Sequence, residues 1–493
     1  MKAVRRLMAA ATRCSRGSRR PASPATPVWR SWLRRGLLLQ AALLTACVTR
    51  IDNEPLNRPI TAEFVAQAAQ PRGIVGANTI GLSLSGGGLR AAAFSFGVLQ
   101  ALTATGDPAV DVLDDLTFMS SVSGGSLTAA YMALHGRDGM QHFRARVLDA
   151  NLERDLRLSP LSPTNLIRLL AGGVNDRSNL AAALDADVFR GATFADLYRR
   201  NKPDVWINAT DLYNRTPFPF IPPVFMGLCS DLSRLRVSEA VAASMAVPLA
   251  FSPVVLKTFP GDCLSPLPPD LDSMLADDGS VTAGIVASTA RAIRNYRDPQ
   301  RMGYVKLADG GLTDNQGLAS ILIARAVSDT SYGPMREEDI VRLRRMLFLI
   351  VDAGRPPEGD WALQRDGPSG VDVAVAAADA AIDSATRFSA AAFRTMTLDW
   401  RDSMIRHRCG MTEAQVRRHL PAGQEWRCDD VTFFVGTVSA QSLSPERAAR
   451  LRGMPTRLSL SRADIDAAIE AGRDAAWVNP ALRAYVADRA ARP

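Results

Sequence analysis

The chain has 493 residues, 47% of them apolar, which is enough to bury a core and too many for an intrinsically disordered chain. Its formal charge of +8 resembles a nucleic-acid signature until it is divided along the sequence. Residues 1–46 hold ten Lys and Arg and no acid, leaving 48 bases against 50 acids in everything that follows; the basic excess belongs to the leader, and nucleic acid loses its support as a partner.

The leader reads as a bacterial export signal: basic residues ending in Arg34 and Arg35, an apolar run over 36–46, then Cys47. That run falls well short of the ~20 residues a spanning helix needs. Leu44-Thr45-Ala46-Cys47 resembles a lipobox, so the expectation is a signal peptide over 1–46 and a lipidated Cys47. Val48 follows the cysteine where an Asp would signal inner-membrane retention, which implies a lipid anchor in the outer membrane, facing the periplasm. An ordinary cleaved signal is the alternative. Export permits disulfides. With Cys14 removed and Cys47 acylated, four cysteines remain. The sequence-local pairs Cys229 with Cys263 and Cys409 with Cys428 close the shortest loops, and no close spacing of zinc-site type is present.

Residues 47–76 mix Asn, Pro, Gln and Gly without apolar periodicity and read as a flexible tether. A core follows over 77–360, beginning with a β-type run at 79–84, a glycine turn and a helix over 89–103. The pattern returns as a strand at 116–121, a turn at 123–125 and a helix through 127–134. Buried-strand runs recur at 204–209, 304–308 and 346–351, and residues 263–280, rich in Pro, Asp and Ser, read as a loop or lid. A long Ala-rich helix over 374–404, a strand over 431–438 and an amphipathic helix over 462–473 make residues 361–493 an extension completing the same domain. Strands alternating with helices predict an α/β fold: three layers, with a mostly parallel central sheet flanked by helices and its ligands at the carboxyl ends of strands.

Three motifs fall at such ends. Gly86-Gly87-Gly88-Leu89-Arg90 opens a helix with consecutive backbone N–H groups that can face an oxyanion; Gly86, Gly88 and Ala91 also fit a dinucleotide fingerprint, with Asp107 or Asp111 about 20 residues on. Ser121-Val122-Ser123-Gly124-Gly125 sits between strand and helix, the setting of a nucleophile held on a tight turn. Asp309-Gly310-Gly311 puts a carboxylate at a third strand end, with glycines permitting close approach. Each motif alone is ordinary turn chemistry, and their value lies in occurring together in this order.

Together these motifs resemble those of the patatin-like phospholipases. Asn208-Ala209-Thr210-Asp211-Leu212, the Ala-Ser-x-Ala-x-Pro segment within 240–251, and residues 307–318 extend the likeness over roughly 80–354, with a weaker echo at 458–472. Ser121 departs from the family pattern, which has glycine there. The resemblance implies a Ser-Asp dyad of Ser123 and Asp309 in which burial raises the Asp309 pKa, an oxyanion hole from Gly86, Gly87 and Gly88, and supporting roles for Arg90, Gly124, Gly125, Gly310 and Gly311. It implies hydrolysis of lipid esters, with membrane phospholipid or another lipid ester as substrate and no metal or cofactor. Arg90 either steadies the glycine loop, faces a lipid phosphate or is an ordinary surface arginine. Alternatives are a general esterase or thioesterase, an inactive lipoprotein scaffold, and a Ser-His-Asp hydrolase recruiting His407 or His419. Asp211, Asp314 and Asp352 read as caps and turns.

Overall fold

The computed structural model describes residues 51–491 except 69–75, 104–110, 158, 160–161, 201, 265, 268–270, 276–280, 355–359, 421–422 and 424. The leader and Cys47 lie outside these residues, as do Asp107 and much of the 263–280 loop. In chain order the strands are β1 (Arg58–Pro59), β2 (Asn78–Leu84), β3 (Leu116–Val122), β4 (Asp204–Asp211), β5 (Thr216–Pro219), β6 (Ser230–Asp231), β7 (Val254–Lys257), β8 (Tyr304–Asp309), β9 (Arg345–Asp352) and β10 (Thr432–Ser439). The helices needed here are α1 (Ala62–Ala68), α2 (Gly88–Leu102), α3 (Gly124–Gly139), α4 (Pro163–Leu170), α5 (Val237–Ser244), α6 (Ala319–Ala326), α7 (Gly370–Gly410) and α8 (Arg462–Trp477).

A single large sheet runs β10-β9-β2-β3-β4-β8-β7, with β5 also paired to β4. From β10 to β4 every ladder is parallel. Of these, β2, β3 and β9 are buried on both faces, which is why 79–84, 116–121 and 346–351 show as unbroken apolar runs. Beyond β4 the sheet turns antiparallel: β8 and β5 both run against β4, and β7 against β8. The fold is thus three-layer α/β as expected, but its sheet is mixed: a short turn after β4 returns the chain directly as β5, and β8 and β7, reached through long connections, also run antiparallel to their neighbours.

The reversal matters for the position of Asp309. In register, Val122 lies opposite Asn208, and Asp309 lies opposite Ala209. Ser123 leaves β3 at the level where β8, arriving from the opposite direction, delivers Asp309. Two strands of opposite sense therefore bring their ends together over the middle strand β4.

Part of the expected tether is packed structure. β1 pairs antiparallel with β6, Phe64 of α1 is buried, and the Asn57 amide donates to Ser230 Oγ and the Lys257 carbonyl at 2.9 and 2.8 Å. Further upstream, the Asp52 N–H donates to Asp176 Oδ2 at 3.0 Å, and Arg177 pairs with the Asp52 carboxylate at 3.0 Å. The Asn, Asp and Pro that made 51–68 look like a linker are the groups that satisfy backbone and side-chain partners on the body. The cysteines are paired as Cys229–Cys263 and Cys409–Cys428.

The C-terminal extension adds β10 beside β9 and lays α8 across α2 at backbone contact. A Cβ at Gly97 of α2 would overlap the Ile469 carbonyl oxygen, and one at Gly472 of α8 would overlap that of Phe94. Among the described residues no helix is long and apolar enough to cross a membrane. Because backbone meets backbone at this crossing and neither side can yield, Gly97→Val or Gly472→Val is expected to destabilise the protein by about 2–4 kcal/mol. Urea unfolding with an unchanged m-value would register this, whereas Ala at nearby exposed positions of α8 should leave the midpoint in place.

Candidate active site

Ser123 adopts φ 50 and ψ −123 between β3 and α3. This strained conformation costs about 1–3 kcal/mol for a residue bearing a side chain and persists only where the surroundings enforce it. They do so by contact. A Cβ at Gly124 would overlap the Gly88 carbonyl, one at Gly125 would come within 2.6 Å of the Leu84 carbonyl oxygen, and one at Gly86 would come within 3.2 Å of the Ser123 Cβ. The turns after β2 and β3 are therefore pressed together through glycines, which is the physical reason for Gly on both sides.

Beneath the serine lies a buried polar network. The Ser123 N–H donates to Ser244 Oγ at 2.8 Å, and Ser244 Oγ donates to the Asn208 carbonyl at 2.6 Å. Ser126 Oγ lies 3.1 Å from Ser244 Oγ and donates to Ser121 Oγ at 3.2 Å. Ser121 in turn donates to the Trp206 carbonyl at 3.1 Å. The Asn208 amide donates to Ser120 Oγ and to the Ser121 carbonyl, and accepts from Ser320 of α6. Ser121, the departure from the family pattern, fits because its hydroxyl is satisfied within this network. Ser244 and Asn208 were legible only as part of wider family-like segments, since nothing in their local sequence marks them as supports of the Ser123 amide.

Asp309 is buried, and the Ser123 side chain lies near enough to its carboxyl group to favour the anion. Burial is the main influence and pushes its pKa up to about 6, opposed by the Gly311 N–H, which donates to Oδ1 at 2.8 Å, and by the Ser123 hydroxyl. The Asp309 carbonyl accepts from Thr210 Oγ1 at 2.9 Å. Gly310 packs where a Cβ would overlap the Asn208 carbonyl, and a Cβ at Gly311 would meet Asp309 Oδ1 at 3.0 Å. The three motifs thus converge on one locus.

The glycine turn divides its duties. The Gly86 N–H donates to the Asn315 carbonyl at 3.1 Å, so Gly86 shapes the turn and is not a free oxyanion donor. Gly87 and Gly88, with φ of 139 and 60, have N–H groups that donate to no acceptor among the described residues and stand at the start of α2, where the helix dipole favours negative charge. Arg90 is buried and donates to the Met454 carbonyl at 2.9 Å, with its guanidinium against Gly87; this excludes the surface reading and fits support of the loop. The Leu89 N–H donates to the Arg457 carbonyl at 2.8 Å, so the C-terminal extension holds the same turn from outside.

The competing readings place their residues elsewhere. His407 packs at a tilt against Tyr332 with ring centroids 4.5 Å apart, and His419 pairs with Glu337 at 3.1 Å; neither touches Ser123 or Asp309. Asp111 pairs with Arg137 and caps the Leu113 N–H, which occupies the acid available to a ribose. Asp211 accepts from Tyr296, Asn214 and backbone N–H groups. Asp314 accepts from Gln316, Ala319 and Ser389, and Asp352 from Gln316 and Gly354, all as caps and turns.

Residues 82–322 match the family model described as patatin-like phospholipase. Among solved structures the chain is similar to human GIVD cytosolic phospholipase A2, with 13% identity, 86% of this chain and 65% of that one covered, and a TM-score of 0.37. It is also similar to the same human protein in complex with methyl gamma-linolenyl fluorophosphonate (13% identity, 87% and 63% covered, TM-score 0.36). A third similar structure is VipD from Legionella pneumophila (12% identity, 89% and 71% covered, TM-score 0.29). The chain spans less than two thirds of the length of the human structures. No curated protein matches.

The raised Asp309 pKa sets a pH dependence of stability. Between about pH 4 and 6 the folded state holds a proton that the unfolded state has released, so this group's contribution, fully present below about pH 4, is lost as pH rises through about 6. Asp309→Asn, which cannot ionise, is therefore expected to be more stable than wild type at pH 8 by up to about 3 kcal/mol and nearly equal to it at pH 4. Chemical denaturation of both proteins across that range reads the difference directly.

Proposed function

From the premise that the chain belongs, through residues 82–322, to the patatin-like phospholipase family, we propose that it is a serine acyl hydrolase. It cleaves carboxylic ester bonds of membrane glycerolipids with Ser123 as nucleophile and Asp309 as base, held by a lipidated Cys47 on the periplasmic side of the outer membrane. The observation that carries the reading is the meeting of the strained Ser123 with the buried Asp309, whose carboxyl pKa burial pushes up to about 6.

The chemistry follows from these groups. Asp309, ionised, takes the Ser123 proton as Oγ bonds to the ester carbonyl carbon; the carbonyl π electrons move to oxygen, and the Gly87 and Gly88 N–H groups stabilise that oxyanion. Collapse breaks the bond to the glyceryl oxygen, which leaves with the proton from Asp309, and an acyl-Ser123 ester remains. Water then gives a proton to Asp309 as its oxygen attacks the acyl carbon, and the second collapse returns that proton to Ser123 and frees the fatty acid. A carboxylate in water is too weak a base for this task, and desolvation is what brings it toward working pH. Because its N–H remains bound to Ser244, Ser123 keeps its orientation through both steps.

Ser123→Ala and Asp309→Asn are each expected to reduce fatty-acid release from phospholipid vesicles by at least about a thousandfold, with the Ser123→Ala chain refusing a fluorophosphonate label. Full lipid turnover by either variant, or its loss in His407→Ala and His419→Ala with Asp309→Asn active, sinks the dyad. In wild type, kcat/KM should rise with pH through about 6 and then level as Asp309 ionises; a profile flat from pH 4 to 8 contradicts its role as base.

A further inference from the structure

Helix α4 is packed inside out. Its polar residues face inward: Arg168 is 1% exposed and Asn165 6%, while Leu166, Ile167 and Leu170 are 55%, 47% and 83% exposed. The burial is built. Arg168 Nε donates to the Val174 carbonyl at 2.7 Å, its guanidinium pairs with the buried Asp176, and the Asn165 amide donates to the Ser159 carbonyl at 2.7 Å. Leu166 and Leu170, one turn apart, share a face, as do Ile167 and Leu170.

This face continues into a second apolar stretch. Val174 and Asn175, just past the end of α4, donate their N–H groups to the Leu249 and Ala250 carbonyls at 3.2 and 3.0 Å. Val247 and Leu249 in that stretch are 44% and 50% exposed. Immediately before it, the Ala246 carbonyl accepts from the Asp309 N–H at 2.8 Å and the Ser244 carbonyl from that of Gly310. The exposed apolar surface thus borders the candidate active site.

The N-terminal segment enters at the same place. Asp176, which holds Arg168, also accepts the Asp52 N–H, and Cys47 precedes Asp52 by five residues. Extended chain of that length spans at most ~18 Å, so a lipid on Cys47, as proposed above, would be tethered within that reach of Asp52.

We propose that α4 and the 247–250 stretch form the surface by which the protein lies on a phospholipid bilayer, with Leu166, Ile167, Leu170 and Leu249 entering the interface and the active-site mouth turned toward the lipid. An apolar helical face of this kind is stable against the boundary of acyl chains and costly in water, and the lipid proposed on Cys47, five residues before Asp52, would bring a membrane within its reach. The choice of partner rests on the lipid acyl hydrolase reading, but the contact is measurable without turnover.

The test uses the full chain carrying Ser123→Ala, so that vesicles stay intact, with amide hydrogen exchange followed with and without phosphatidylethanolamine–phosphatidylglycerol vesicles. Exchange over 163–172 and 247–250 should slow only when vesicles are present. In the otherwise wild-type chain, Leu166→Glu with Leu170→Glu should reduce vesicle hydrolysis at least about tenfold while leaving turnover of a soluble short-chain ester unchanged. The proposal is overturned if vesicle-bound protein shows no slowing there. Slow exchange without lipid overturns it too, as does slowing that depends on protein concentration alone; these would mean the chain's own leader or a second copy covers the face. Loss of ester turnover in wild type with vesicle protection intact would instead remove the hydrolase reading and leave the docking surface standing.

Discussion

The backbone of Ser123 is the constraint on which the rest of the structure depends. A residue with a side chain at φ 50 and ψ −123 relaxes unless something stops it, and here three loops from β2, β3 and β8 do so by occupying the space around it. Gly86, Gly124 and Gly310 are each placed where a Cβ would strike a neighbour's backbone or side chain. Each absent side chain lets one loop reach the others. From below, Ser244 gives the Ser123 N–H the acceptor that a helix N-terminus otherwise lacks, and it is itself fixed by the Asn208 carbonyl. The hydroxyl is consequently aimed by buried groups on β4 and α5, while nothing of that network has to move when a bond forms at Oγ.

The carboxylate shows a complementary economy. Asp309 and Asp314 lie five residues apart, both buried and both with pKa raised chiefly by desolvation. Asp314 accepts from Gln316, Ala319 and Ser389, so its oxygens are spent on tying the loop to α7. Asp309 has one backbone donor, Gly311, and the serine. Fewer hydrogen bonds leave the anion less stabilised, which fits the proposed role of proton acceptor. Burial with sparse hydrogen bonding raises basicity here without histidine.

What could be read from the sequence divides along physical lines. Strands β2, β3 and β9 were legible because burial on both faces leaves continuous apolar runs, and the disulfide pairs because short loops close most easily. The direction of β8 was not, since a run such as 304–308 has the same composition whichever way it pairs. The segment 51–68 was misread because polar composition marks a linker only when its groups face water, and Asn57 and Asp52 instead bond to the body. Gly86 was assigned with its neighbours to the oxyanion hole because all three are glycine; only the position of the Asn315 carbonyl separates it from them. Arg90 and Arg168 carry the same lesson, because a buried arginine announces itself through its acceptors, and those lie far along the chain or in an unremarkable turn.

Arg168 also explains why α4 accepts so unfavourable a face. Leu-Ile-Arg-Leu-Leu over 166–170 would by pattern bury its leucines and expose its arginine, and rotating the helix to do so would remove apolar area from water at about 25 cal/mol per Å². It would also leave Asp176 buried without its cation and the Val174 carbonyl without a donor, losses of the kind that cost several kcal/mol in a low-dielectric interior. Asp176 also accepts the Asp52 N–H, so the same carboxylate joins α4 to the N-terminal segment. The inward arginine therefore satisfies the Val174 carbonyl and Asp176 and, as the cost of doing so, turns three large apolar side chains outward. On the docking proposal, a lipid surface would supply the apolar environment that those side chains lack in water.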